Sequence, residues 1–148
     1  MSAKSFIKPF TFVPAGKIYG ANMLFHRRVI DKIGLFDVVL GVGTFFSGED
    51  IDYIGRASWA GFAGAHIPEL IIYHHHGRKP GEDVEKLREF YDYGRGAYYI
   101  KFILKGKFSY LKNWYKITKN VKHHSFRREL KGALRYLLAK IKNFLIKR

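Results

Sequence analysis

The chain has 148 residues, 47% of them hydrophobic and 17% aromatic, with no cysteine and a net charge of +15. So apolar a chain offsets its ordering entropy by burial, which argues for one folded domain rather than disorder, and the lack of cysteine excludes a disulfide scaffold, a thiolate metal site and a thiol nucleophile. No apolar run approaches the ~18 residues of a membrane-spanning helix, and Met1–Ile7 builds no signal-peptide core before Lys8 and Pro9, so a protein that is soluble or rests on a membrane surface is expected.

The charge is unevenly spread. Residues 1–80 hold nine Lys and Arg against six acids, whereas residues 101–148 hold fifteen against one acid, Glu129. A basic segment of this kind implies a polyanionic neighbour: nucleic acid, anionic lipid or a phosphorylated substrate. All four prolines lie at or before Pro80. The division at that point predicts a turn-rich α/β part over residues 1–80 and a helical, basic part over residues 81–148.

In chain order, Ile18–His26 is short and apolar and is predicted as a buried strand. Arg27–Ile33 follows as a helix ended by Gly34, a residue suited to the left-handed conformation past a helix C-terminus. Phe36–Phe46 is predicted as a loop. Ser47 is the expected cap of a helix over Glu49–Ala60, whose first turn holds Glu49, Asp50 and Asp52, acids that suit the positive end of the helix dipole. Ala65–Tyr73 reads as a strand that delivers its end into His74, His75 and His76. Gly81-Glu82-Asp83 opens one long or broken helix over Val84–Leu104. The last helix has the clearest period: Phe126, Leu130, Ala133, Leu134, Leu137, Leu138, Ile141, Phe144 and Leu145 recur at spacings of three and four, with Arg127, Arg128, Lys131, Arg135, Lys142 and Lys147 on other faces.

Two clusters carry chemistry. Crowded carboxylates at Glu49, Asp50 and Asp52 repel one another, so one of them can take up a proton and act as a base. Imidazoles at His74–His76 suit a divalent metal or an anion. The ordinary roles of such groups are to serve a helix dipole and to face solvent.

Order and spacing add a resemblance. Gly20-Ala21-Asn22-Met23-Leu24-Phe25 with Arg27-Arg28, then Ile33-Gly34-Leu35-Phe36-Asp37, then Gly48-Glu49-Asp50 with Asp52, Arg56 and Gly61-Phe62, and last Pro68 through His76, resemble the second half of the catalytic domain of inverting GT-A glycosyltransferases, the family-2 group and its galactosyltransferase relatives. Leu35 stands where that family has a second glycine. The resemblance implies a partial GT-A-like (nucleotide-diphospho-sugar transferase) α/β domain with a helical, basic C-terminal extension. It implies a hexosyltransferase-like enzyme that moves a sugar from a nucleotide-sugar donor to a hydroxyl on a glycan or lipid-linked acceptor. Asp50 then aligns with the catalytic base, Glu49 and Asp52 with the acceptor site, and His74 and His76 with ligands of a Mn²⁺ or Mg²⁺ ion on the departing diphosphate. The family's donor-binding half, with its Asp-x-Asp motif, normally precedes these pieces and is longer than the forty-eight residues ahead of Glu49, so a truncated domain and a companion chain supplying that half are expected. Asp50-Ile51-Asp52 spells the motif but sits on the acceptor side.

The expected location is cytoplasmic, peripheral at the inner face of a membrane. Residues 106–148 are expected on an anionic membrane surface, with Phe126, Leu130, Leu134, Leu137, Leu138, Ile141 and Leu145 toward the acyl boundary and Trp114 and nearby tyrosines at headgroup level; the equal alternative is that this apolar stripe packs on residues 1–100. The alternative is a non-catalytic basic module that binds anionic lipid or nucleic acid, with Phe108, Tyr110, Trp114 and Tyr115 interleaved among lysines for stacking.

Overall fold

Short helices and a small sheet occupy the first half of the chain, and three long helices the second. The computed structural model describes residues 4–17, 20–73, 75, 84–120 and 124–146. The elements in order are β1 (Ser5–Ile7), α1 (Arg27–Ile33), α2 (Glu49–Trp59), β2 (Gly64–His66), α3 (Val84–Ile103), α4 (Ser109–Asn120) and α5 (Phe126–Ile146), with a 3-10 turn at Gly20–Asn22. The chain divides into two compact units. The first holds residues 1–37 and 49–80, the second residues 38–48 and 81–148.

In the first unit β1 and β2 pair antiparallel, Ser5 opposite His66 and Ile7 opposite Gly64. Two strands of three residues are too little to fold alone, so the unit is organised around α2. Ile7, Val13 and Ile54 form one buried cluster, and Val29, Tyr53 and Ala57 another. The last turn of α2 holds the N-terminal segment: Ser58 Oγ accepts from the Thr11 N–H at 3.1 Å and lies 2.9 Å from the Thr11 carbonyl, while the Phe10 N–H donates to the Ser58 carbonyl at 2.8 Å. Phe10 has φ 58°, and a Cβ on Gly61 would lie 3.2 Å from its ring. α1 starts at His26, whose Nδ1 accepts from the Arg28 N–H, and stops at Gly34, with φ 73°.

The second unit rests on α3 against α5. Both helices bring glycines to the crossing: a Cβ on Gly96 would sit 1.8 Å from the Glu129 carbonyl oxygen, and one on Gly132 2.3 Å from that of Tyr93. Each glycine costs a helix interior about 1 kcal/mol relative to alanine. Here that cost is offset by a backbone approach that a side chain would prevent. α4 joins α3 through aromatic rings, with Phe102 stacked on Tyr110 at 4.4 Å and Tyr98 edge-on to both. Glu129 is fully buried. It accepts from Arg95 Nε at 2.8 Å, Trp114 Nε1 at 2.6 Å and Thr118 Oγ1 at 2.8 Å, so one carboxylate ties α3, α4 and α5 together.

Several expectations are corrected. Ile18–His26 does not form a strand among its described residues: it holds the 3-10 turn and irregular backbone. Ala65–Tyr73 is strand only at its start, because β2 ends at His66 with its partner β1. Ser47 does not cap α2: its Oγ donates to the Phe90 carbonyl at 3.2 Å, and Gly94 leaves the space for it. Residues 38–48, placed by sequence within the 1–80 part, pack in the second unit, because Leu40 and Phe46 are buried with Tyr93, Ala97 and Tyr136. Trp114 is buried on Glu129 and stacked on Tyr99 rather than open to a headgroup layer. The fold is mixed helix and sheet.

Candidate functional site

Asp50 lies in the first turn of α2 and is half-buried. Its two oxygens are both fixed by backbone donors, Oδ2 by the Gly20 N–H at 3.0 Å and Oδ1 by its neighbour Ile51 at 2.7 Å. Gly20 makes the approach close: a Cβ there would come to 3.3 Å from both Asp50 Cβ and Oδ2 and would press that side chain aside by a few tenths of an ångström. The 3-10 turn that presents Gly20 is itself tied down, since Asn22 Nδ2 donates to the Leu70 carbonyl at 2.7 Å. Glu49, beside Asp50, is half-buried. A carboxylate held in one orientation and partly open to solvent is placed to accept a proton from a hydroxyl brought to it.

Asp52 has another task. It is fully buried, and Arg56 one turn on binds it at 2.9 Å. The same guanidinium donates to the Ile33 carbonyl at 2.7 Å and the Leu35 carbonyl at 2.9 Å, and the Tyr53 hydroxyl donates to Gly34 between them at 3.0 Å. Three successive carbonyls at the C-terminal end of α1 are thus received by α2. Phe36 stacks on Tyr53 at 4.3 Å, Phe25 meets it edge-on, and Arg56 covers its ring at 4.7 Å. Asp52, expected at the acceptor, lies fully buried against Arg56. Tyr53 carried no expectation and Arg56 was noted without a role; the spacing of Asp52 and Arg56 by four was the available signal.

His74 and His76 lie outside the described residues, and His75 is exposed. Among the described residues no group of three or more His, Cys, Asp or Glu side chains is arranged to hold a metal ion. A cavity of about 250 Å³ opens in the first unit, lined by Asn22, Phe25, His26, Ile54 and Phe62 among others; Asp50 does not line it. No helix among the described residues is long and apolar enough to cross a membrane. Comparison with protein-family models, with curated proteins and with solved structures gives no match.

Proposed function

We propose that residues 1–80 form the acceptor and base side of an inverting, hexosyltransferase-like glycosyltransferase. The observation that carries this reading is Asp50, a partly open carboxylate oriented by the Gly20 N–H from thirty residues upstream and by the head of its own helix. It coincides with the acid that the family resemblance assigns as base. In this reading the acceptor hydroxyl, on a glycan or a lipid-linked chain, gives its proton to Asp50 as its oxygen attacks the anomeric carbon of a nucleotide sugar. The bond from that carbon to the diphosphate breaks, and the nucleoside diphosphate leaves with the electron pair. Glu49 shapes the acceptor pocket, and Asp52 with Arg56 holds the turn that supports it. The Mn²⁺ or Mg²⁺ of the resemblance would supply positive charge at the departing diphosphate, with His74 and His76 as its ligands.

The donor nucleotide in this reading is bound by an α/β unit with an Asp-x-Asp motif, and the reaction runs on the cytoplasmic side of a membrane. The test is nucleoside diphosphate release from a panel of UDP-, GDP- and dTDP-hexoses, by the full chain co-expressed with a GT-A donor-binding unit that carries Asp-x-Asp, with and without a glycolipid extract as acceptor. Release that needs both the chain and the acceptor is expected. Release no greater than that of the unit alone contradicts the reading.

A further inference from the structure

α5 packs on α3 through Glu129, Gly132, Ala133 and Tyr136, which are buried. That leaves another face open. At the helical repeat, Leu130, Leu134, Leu138, Ile141 and Leu145 fall on one stripe, and the structure leaves them between 53% and 65% exposed. Five aliphatic side chains in a row are unusual on a surface with no occupant, because most helical stripes of this kind are what a fold buries. Here the fold buries the small-residue face instead, where glycine and alanine permit the close crossing with α3.

The border of the stripe identifies the occupant. Lys131 and Lys142 lie along its free edge and Arg127 at its N-terminal end, and all three are exposed. Glu129 is the one acid in residues 101–148, and its burial removes it from the surface. The exposed side of α5 is therefore aliphatic in the middle and purely basic at the edge. An acyl layer beneath anionic headgroups complements that pattern, whereas a nucleic acid has no use for the aliphatic row. α4 offers a smaller example, with Leu111 and Tyr115 exposed one turn apart beside Lys112 and Lys119.

We infer that the α5 stripe docks on an anionic lipid surface, leucines at the acyl boundary and basic side chains among the headgroups. The inference does not depend on the sugar-transfer reading, because it uses none of the residues around Asp50. The test is co-sedimentation of the full chain with vesicles of phosphatidylcholine alone and of phosphatidylcholine with phosphatidylglycerol, for wild type and for Leu134→Glu/Leu138→Glu. Leu134→Ser/Leu138→Ser serves as the milder variant should the glutamates disturb folding, and circular dichroism checks helix content. Binding to the anionic vesicles is expected to exceed binding to the neutral ones at least tenfold and to weaken with salt, and either variant is expected to lose at least tenfold while staying helical. Equal binding by the variants would overturn the inference, since charge alone would then hold the chain. So would failure to bind vesicles by a wild-type dimer that the variants convert to monomer, which would make a second copy the occupant, or binding to duplex DNA in preference to the vesicles.

Discussion

At the residue scale the first unit depends on how α2 receives the end of α1. Arg56 is the centre of that contact, since it satisfies a buried carboxylate and two carbonyls at once, and a flexible ammonium has no fork to do the same. Arg56→Met is expected to lower stability by about 3 kcal/mol, because removing one partner leaves Asp52 charged and buried; urea unfolding followed by circular dichroism measures it, and a change under about 1 kcal/mol would contradict the account. This region also separates what was legible from what was not. The helix bounds at Arg27 and Glu49 and the stop at Gly34 follow from local period, dipole and glycine signals. The fork of Arg56 onto the Ile33 and Leu35 carbonyls links positions more than twenty apart in sequence, and no local rule encodes such a contact. Asp52 looked like a third site carboxylate because charge alone does not show which way a side chain points around a helix.

At the element scale, α3 and α5 show why period alone misassigns a face. The leucine stripe of α5 is the strongest pattern in the sequence, yet the face that packs is the one with Gly132 and Ala133. Backbone proximity there outweighs aliphatic area. Gly96→Ala should cost about 1–3 kcal/mol, since its Cβ has to push the Glu129 backbone aside and the helix-propensity gain of about 1 kcal/mol does not cover a forced separation. Thermal unfolding checks this, and an unchanged or raised midpoint would refute it. Asp92, on the same helix, makes a pH prediction. Desolvation raises its carboxyl above the ordinary 3.8, opposed by Arg95, while Glu129 pushes the same way as burial and Arg128 opposes it. The folded chain therefore binds that proton more tightly than the unfolded chain, so this group's contribution to stability is greatest below 3.8 and falls as pH rises through its folded value. Asp92→Asn should flatten that slope in denaturant midpoints taken between about pH 4 and pH 7. An unaltered slope would show that Asp92 does not titrate as its burial requires.

Over the whole molecule, two units with different chemistry share one chain: a site of carboxylates, and a helical unit of basic and aliphatic surface. The charge asymmetry and the change of composition near Pro80 were visible in the sequence, because they are properties of composition. The assignment of residues 38–48 to the helical unit was not, because it follows from Leu40 and Phe46 reaching α3 and α5, and from Ser47 fitting against Gly94. The strands forecast at Ile18–His26 and Ala65–Tyr73 failed for a related reason. Apolar β-branched runs form strands where a neighbouring strand pairs with them, and β1 pairs over only three residues. In the proposed sugar-transfer reading, two aspartates two positions apart on α2 have different tasks, Asp50 toward a reacting hydroxyl and Asp52 toward the fold. The most direct measurement compares Asp50→Asn with Asp52→Asn for nucleoside diphosphate release and for thermal midpoint, with a donor-binding Asp-x-Asp unit present. This reading predicts that Asp50→Asn loses about 10²–10⁴-fold in turnover, the usual contribution of a general base, while the chain stays folded, and that Asp52→Asn lowers the midpoint further than Asp50→Asn does. Wild-type turnover by Asp50→Asn, or an unaltered midpoint for Asp52→Asn, would contradict it.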